Sequence, residues 1–312
     1  MFIYKLNFLL YIIFYYLQYY MSKLKFDYNI RINPLDSNIE KYICSKLDLT
    51  PYKSYSKMTD EEIDKIYNKV INKFKSTLIG LPEYFCPEII LSIRANLMRA
   101  HMIINHKKVV SSGHKIINDY NNGMGVLELS SKYDGSPLNI LRLVFTSKYK
   151  KKLTQLIKEN KILSSRDVSQ LDLAISNDLY ALINQYEVLK KSREFELKIQ
   201  KILDKLGVRY KTQEQLAREQ IEQSDKAINT PDFLILDDLW INGQKINWID
   251  AKNFYGLNTP YLKKRIKQQT NKYLDVWGSG SIIFSLGFSS RLKIPGILFI
   301  DYCSFENNTI VK

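Results

Sequence analysis

Residues 230–252 have the sequence TPDFLILDDLWINGQKINWIDAK, in which two apolar stretches are separated by a short polar turn. An Asn-Gly pair at 242–243 marks the turn, because both residue types tolerate the positive φ angles of a tight β-hairpin. Asp232 stands just before the first predicted strand, while Asp250 and Lys252 lie two residues apart on the second. Side chains alternate between the two faces of a strand, so Asp250 and Lys252 are predicted to share a face. The hairpin therefore brings two carboxylates and a lysine to one end of a sheet.

Two neighbouring carboxylates can hold a hard divalent cation, because Mg²⁺ and Mn²⁺ prefer oxygen ligands. Asp232 and Asp250 are the predicted metal ligands, with the backbone carbonyl of Ala251 as a candidate third. Lys252 would lie close enough to the metal to lose its proton more easily and then to help generate hydroxide. If Lys252 stays charged, it can bind a phosphate instead. An Asp before a strand is also a common turn residue, so the surrounding sequence has to decide between these interpretations.

The sequence around the hairpin is more specific than the hairpin itself. The run from Asp232 to Asp250-Ala251-Lys252 resembles the signature of the PD-(D/E)xK nucleases. The flanking segments resemble the TPD-motif branch of that family, which includes the codanin-interacting nuclease. The matching segments are Thr230-Pro231-Asp232, Trp248-Ile249-Asp250-Ala251-Lys252, Gln269 with Tyr273, Gly278-Ser279-Gly280 and Gly287-Phe288. One departure lies at residues 252–257, where Lys-Asn-Phe-Tyr-Gly-Leu replaces a Lys-Ala-x-Phe-Gly-Asp run, so the Asp of that run has no counterpart here.

The resemblance implies a restriction-endonuclease-like α/β core over residues 191–312 that cleaves nucleic acid, DNA in the first place, with Mg²⁺ or Mn²⁺. It also implies an acidic metal ligand on the first helix of that core. The spacing in the family favours Glu196 for this ligand, and Glu194 is the competitor. Gln269 is expected to point towards the metal, as it does in relatives. A codanin-like protein partner is implied by the resemblance alone. The expected catalytic set is Asp232, Asp250, Lys252, Glu196 and Gln269.

The chain has 312 residues, enough for two domains, and a net charge of +14 with a pI near 9.4. This charge favours a polyanionic partner such as nucleic acid, although a Lys-rich composition also follows from codon bias. A helix predicted to start at Thr259 carries several of the cations. These candidate nucleic-acid contacts are Lys263, Lys264, Arg265 and Lys267. The alternative is that they form a solvated helix face.

The first 20 residues are apolar and aromatic, with a single Lys. They are interpreted as a hydrophobic leader, a weak membrane anchor, or a spurious extension upstream of a true start at Met21. No membrane association is expected unless residues 1–20 are a real anchor. Cys44, Cys86 and Cys303 match no zinc spacing and no disulfide framework. Their spacing predicts a reducing compartment, the nucleus or the cytoplasm.

Residues 21–190 are predicted to form a helical domain, with helix starts at a capping box at Thr59 and at Pro87. Within residues 121–149, two short helices flank an Asp-Gly turn at 134–135. This segment is predicted to be either a helix-turn-helix or an ordinary helical hairpin, with neither favoured. The predicted fold class is therefore α+β, with a helical N-terminal domain followed by the nuclease core.

Two other functions are consistent with the same sequence. The first is a catalytically silent nucleic-acid-binding or adaptor protein on a nuclease fold. The presence of Asp232, Asp250 and Lys252 argues against it, because a silent protein has no need for acids at a desolvated strand end. The second is a membrane-tethered scaffold, which only residues 1–20 suggest.

Overall fold

The computed structural model describes residues 23–47, 49, 55–75, 80–158, 162–178, 185–224 and 230–310. These ranges contain twelve helices and a six-stranded, mostly parallel sheet, which confirms the mixed α+β class. No helix within them has an apolar stretch long enough to cross a membrane. The predicted leader, residues 1–20, lies outside the described residues. The elements in chain order are β1 (Lys25–Tyr28), α1 (Ser37–Lys46), α2 (Asp60–Phe74), α3 (Pro87–Ser111), α4 (Gly113–Asn121), α5 (Val126–Tyr133), α6 (Pro137–Tyr149), α7 (Leu153–Lys158), α8 (Ser165–Asn177), α9 (Gln185–Leu206), β2 (Tyr210–Thr212), α10 (Gln213–Ser224), β3 (Phe233–Ile241), β4 (Gln244–Lys252), α11 (Pro260–Trp277), β5 (Gly280–Phe284), β6 (Ile297–Asp301) and α12 (Tyr302–Ile310).

The β3–β4 hairpin is the centre of the sheet. Asn242 and Gly243 adopt φ angles of 51° and 73°, as predicted for the turn. The strand order is β1-β3-β4-β5-β6, and the short β2 also pairs with β3. The β3–β4 and β2–β3 pairs are antiparallel, whereas β1–β3, β4–β5 and β5–β6 are parallel. Because β4 and β5 are parallel, their carboxyl ends lie at the same edge of the sheet. Asp250 and Lys252 lie at this edge.

Helices cover both faces of the sheet. On one face, α9 contributes buried residues that include Phe195 and Ile199, and α12 contributes Phe305. On the other face, α11 packs Leu262 and Ile266 against Trp248 and the β5 and β6 side chains. The result is a helix–sheet–helix layering in which α11 lies over the carboxyl end of β4.

The N-terminal helices form two further apolar clusters. Helices α1, α2 and α3 pack together and bury Tyr255 and Leu257, which follow β4. Leu257 stands where the Lys-Ala-x-Phe-Gly-Asp run has its Asp. Because Leu257 is buried, the residue at this position contributes to packing. Helices α4 to α8 form the second cluster. Within it, Asp134 adopts a left-handed φ of 53° between α5 and α6, and the Ser136 side chain caps α6.

The predicted helical segment 21–190 differs from the structure at its start. Residues 25–28 form β1, which pairs in parallel with the second half of β3. Side chains of the β3 region hold this strand, since the Leu24 N–H donates to Asp237 Oδ1 at 3.2 Å and the Ile30 N–H donates to Asn242 Oδ1 at 2.7 Å. Because these partners lie more than 200 residues away in sequence, no local pattern predicts the strand.

The predicted division at residues 190–191 falls inside α9. Residues 211–224 form the end of β2 and all of α10. Thr212 and Gln215 form a reciprocal cap: the Gln215 side chain accepts from the Thr212 N–H at 2.9 Å, and the Thr212 hydroxyl accepts from the Gln215 N–H at 3.4 Å. This Thr-x-x-Gln capping box is a sequence signal that identifies the start of α10.

Candidate metal centre

The hairpin brings the carboxylates of Asp232 and Asp250 to the same end of the sheet. Asp232 lies just before β3 and accepts a hydrogen bond from the Ala251 N–H at 2.6 Å. Asp250 lies on β4 and its side chain is only 1% exposed. The Asp232 carboxylate is thus fixed to the backbone between Asp250 and Lys252, the two residues that the sequence predicted to share a face.

Gln269 on α11 joins the two charged residues of β4. Its Nε2 donates to Asp250 Oδ1 at 3.1 Å, and its Oε1 accepts from Lys252 Nζ at 3.0 Å. Lys252 Nζ also forms an ion pair with Asp250 Oδ2. The structure therefore gathers Asp250, Lys252 and Gln269 into one contact group beside Asp232.

Tyr273, one helical turn after Gln269, connects the remaining motif residues. Its hydroxyl donates to the Thr230 carbonyl at 3.2 Å, and its ring packs edge-on against Trp248 with 5.3 Å between centroids. The Trp248 indole N–H in turn donates to the Gly278 carbonyl at 2.9 Å. These contacts fix α11 against the hairpin.

The charged form of the Asp232 carboxyl is disfavoured where it lies. Burial raises the pKa of the Asp232 carboxyl, and the negative charge of Asp250 raises that pKa further. The Lys252 ammonium and the hydrogen bond from the Ala251 N–H lower it, without cancelling the rise. A divalent cation stabilises the charged forms of two buried carboxylates that repel each other, because it offsets both negative charges.

Glu196 and Glu194 lie on different sides of α9. Glu194 is exposed, whereas the Glu196 side chain is 22% exposed. The charge of Glu196 is near enough to Asp232 to raise the pKa of that carboxyl. Glu196 is also held by Arg193, whose Nη1 lies 3.1 Å from Glu196 Oε2. Glu196, and not Glu194, is thus the glutamate whose charge acts on Asp232.

The donor set fits a hard divalent cation in part. Asp232 and Asp250 supply carboxylate oxygens, and Asp250 Oδ2 is a buried atom that accepts no hydrogen bond, although it contacts the Lys252 ammonium. Within the described ranges, no three His, Cys, Asp or Glu side chains come together as a metal-binding cluster. Glu196 is therefore near the pair without joining it, and the Ala251 carbonyl is the other predicted ligand.

The predicted nucleic-acid contacts lie on the first half of α11. Lys264, Arg265 and Lys267 are exposed, and Lys263 is half-buried. Arg265 lies against Tyr261, with its Nη1 3.2 Å from the Tyr261 hydroxyl. These cations lie on the same helix as Gln269, within two turns of it.

Helix α3 contributes residues to the cleft beside the candidate centre, which the sequence did not predict. The sequence predicts the start of this helix at Pro87 and gives it no candidate site residue. In the structure its Asn96 and Arg99 lie in one cleft with Lys252 and Gln269. No motif or spacing around Arg99 distinguishes it from other surface cations.

Residues 141–303 match the family described as "Protein of unknown function TPD sequence-motif", and this region is just over half of the chain. The chain belongs to the TPD family. The match starts within α6 and ends at the start of α12, so it contains the whole candidate centre of this TPD protein.

The chain is also similar to "Uncharacterized protein L539" of Acanthamoeba polyphaga mimivirus. The two are 28% identical over 185 residues, which are 58% of this chain and 66% of the viral protein. No solved structure matches the chain significantly.

Proposed function

We propose that this TPD protein is a Mg²⁺- or Mn²⁺-dependent nuclease that hydrolyses phosphodiester bonds of DNA. The observation that carries the proposal is the contact group of Asp250, Lys252 and Gln269 beside Asp232. It combines two carboxylates suited to a cation with an ammonium group suited to a phosphate. Phosphodiester hydrolysis needs both, because negative charge develops on the phosphoryl oxygens in the transition state.

Asp232 and Asp250 would hold the metal, together with the Ala251 carbonyl. The bound cation would supply charge stabilisation and a more acidic water. As an ammonium Lys252 would bind the attacked phosphate, and only as a neutral amine would it take the proton of the attacking water. Gln269 positions both Asp250 and Lys252, since its amide group contacts each of them. Tyr273 keeps α11 in place through its bond to the Thr230 carbonyl.

Incubation of the purified full chain with supercoiled plasmid and with labelled single-stranded and duplex oligonucleotides tests the proposal. Cleavage products are expected with Mg²⁺ or Mn²⁺ and not with EDTA. Cutting that persists in EDTA contradicts the metal assignment. An absence of cutting on DNA and RNA alike contradicts the enzyme assignment and leaves the adaptor alternative.

Glu196→Gln is expected to weaken Mn²⁺ binding by roughly tenfold, the scale for residues that support metal ligands. Metal-free thermal stability should hold or rise, because the charge that raises the pKa of Asp232 is gone. The lost ion pair with Arg193 is half-exposed and contributes little. Calorimetric Mn²⁺ titration and thermal melts of the metal-free protein measure both quantities.

Glu194→Gln is the matched control for this change, since it makes the same charge change two residues away on the exposed side of α9. Its Mn²⁺ affinity should equal that of the unmodified protein. If Glu194→Gln weakens binding and Glu196→Gln does not, the ligand assignment moves to Glu194.

Reversal of Lys263, Lys264 and Lys267 to Glu is expected to weaken DNA binding evenly across sequences. The dependence of affinity on salt should also become shallower, because fewer phosphate contacts release fewer counterions. Fluorescence anisotropy of a labelled duplex at several salt concentrations gives both values.

A matched control reverses Lys107, Lys108 and Lys115, which are exposed on α3 and α4. This variant carries the same net charge as the α11 variant. If both variants lose affinity and salt dependence equally, the α11 cations act only through total charge.

The α5–α6 pair is proposed to be an ordinary helical hairpin. In a helix-turn-helix, the first turn of the second helix reaches the base edges in the major groove. Here Ser136, Pro137 and Leu138 at that turn are buried, and the Leu138 N–H donates to Asp178 Oδ2 at 3.1 Å. This burial favours the hairpin interpretation of residues 121–149.

The adaptor alternative has one supporting observation. Glu196 is paired with Arg193, and Arg193 also lies 3.1 Å from Glu214, so the third carboxylate has partners other than a metal. A silent adaptor would keep the fold and bind DNA or a codanin-like protein without metal-dependent cutting. The cleavage assay separates the two functions.

A further inference from the structure

Helix α3 is fixed to the chain immediately after the candidate centre. The Ser92 hydroxyl accepts from the Tyr255 N–H at 2.8 Å, and Asn96 Nδ2 donates to the Tyr255 carbonyl at 3.1 Å. Both side chains are buried, and Tyr255 lies three residues after Lys252. The two hydrogen bonds therefore hold this part of α3 in a defined place beside the end of β4.

Arg99 lies on the same face of α3 as these two residues. Ser92, Asn96 and Arg99 are spaced by four and three positions, the spacing of neighbours on one side of a helix. Arg99 is half-buried and makes no ion pair with any carboxylate of the described ranges. A partly desolvated guanidinium without an acidic partner is a ready donor for an anionic ligand.

The cleft beside Arg99 has a volume of about 90 Å³. Three basic side chains and no acidic one line it, and because Lys252 is paired with Asp250, the remaining positive charge comes from the other two. The basic side chains are Arg99, Lys252 and Arg265. Its volume exceeds the roughly 10–15 Å³ that one water needs, but it lies far below the roughly 300 Å³ or more of pockets that enclose whole small ligands. The cleft thus has room for one anionic group of a larger molecule that continues outside it.

We propose that Arg99, with Arg265, forms a subsite for the backbone phosphate next to the one that is cleaved. This inference rests on the proposed nuclease function, because Lys252 and Gln269 belong both to the cleft and to the candidate centre. The planar guanidinium of Arg99 can donate two parallel hydrogen bonds to phosphate oxygens. The N-terminal helices then supply a substrate contact, which sets the position of the strand relative to Lys252.

Binding of a labelled duplex in EDTA tests the subsite without any contribution from metal or cleavage. Arg99→Gln is expected to lower affinity roughly tenfold and to reduce the salt slope by about one, as for one lost phosphate contact. Lys107→Gln, an exposed change of the same charge on the same helix, should alter affinity by less than about twofold. Arg99→Lys should keep the salt slope and recover part of the affinity, because the charge is retained and the paired donors are lost.

A set of duplexes, each with one neutral methylphosphonate, identifies the phosphate. One position should weaken binding by the unmodified protein and leave binding by Arg99→Gln unchanged. That position should adjoin the bond that the unmodified protein cuts when Mg²⁺ is added. If no position shows this difference, Arg99 does not contact a single phosphate and the inference is wrong.

The two proposals fail in different ways. If the unmodified protein cuts DNA and Arg99→Gln binds like Lys107→Gln, the subsite is wrong and the nuclease function stands. If no cutting occurs but only Arg99→Gln loses the contact with one phosphate, Arg99 binds nucleic acid in a silent protein: the phosphate contact stands, and the nuclease function and the subsite's place beside a cleaved bond are wrong. An unmodified protein that binds no nucleic acid overturns both.

Discussion

Asp250→Asn is expected to reduce metal-dependent cleavage by roughly 10³-fold or more, while DNA binding changes little. The substitution keeps the size of a fully buried side chain and can keep a hydrogen bond with Gln269. It removes one of the two carboxylates that would hold the metal and the ion-pair partner of Lys252. Gel-based cleavage rates in Mg²⁺ and anisotropy in EDTA measure the two effects separately.

The melting temperature of Asp250→Asn shows whether its loss of cleavage comes from unfolding. The negative charge of Asp250 raises the pKa of Asp232, so its removal makes the charged form of Asp232 easier to keep. Asp232 also stays close enough to Lys252 to offset its charge. The metal-free variant should therefore melt at or above the temperature of the unmodified protein.

Asp275→Asn is the matched control, since Asp275 is exposed on α11 and two residues beyond Tyr273. It should cut DNA at the normal rate. Mg²⁺-dependent cutting by purified Asp250→Asn at a comparable rate would falsify the assignment of this aspartate.

Gly280→Ala is expected to destabilise the fold by roughly 3 kcal/mol, at the upper end for an added methyl group in a packed core. A Cβ at Gly280 would lie 2.2 Å from two ring carbons of Trp248, which is fully buried. The indole would have to move, breaking its bond to the Gly278 carbonyl and its edge contact with Tyr273. Denaturant unfolding followed by circular dichroism measures the change.

This substitution should also lower cleavage, because Tyr273 holds α11 and its Gln269 against the hairpin. Gly113→Ala serves as the control: nothing lies within 4 Å of the added atom. Its unfolding free energy should match that of the unmodified protein or exceed it slightly. A Gly280→Ala protein as stable as the control would mean that the Trp248 packing tolerates rearrangement.

The parts of the fold that sequence predicted are those with local causes. The β3–β4 turn follows from an Asn-Gly pair, and α11 begins at Pro260, directly after Thr259, whose side chain caps the helix by accepting from the Leu262 N–H. The shared face of Asp250 and Lys252 follows from strand alternation, and the contact with Gln269 was expected from the resemblance. In each case a few adjacent residues, or a known motif, carry the information.

The parts that sequence could not predict depend on contacts between distant residues. Arg99 becomes a neighbour of Lys252 only because Ser92 and Asn96 bind the backbone of Tyr255. The choice between Glu194 and Glu196 also needed the structure, since each of them is next to the apolar Phe195 in sequence. Tertiary packing determines these positions, and local sequence patterns carry no information about that packing.

The pairing of β1 with β3 determines the order in which parts of the chain can fold during synthesis. Leu24 and its partner Asp237 are 213 residues apart. At synthesis rates of about 5–20 residues per second, a ribosome needs roughly 10–40 s to make that interval. During this time the helices α1 to α8 can form from contacts near in sequence, which close quickly. The β1 residues emerge before all of these helices, yet they find their place only after the strand they pair with has been translated.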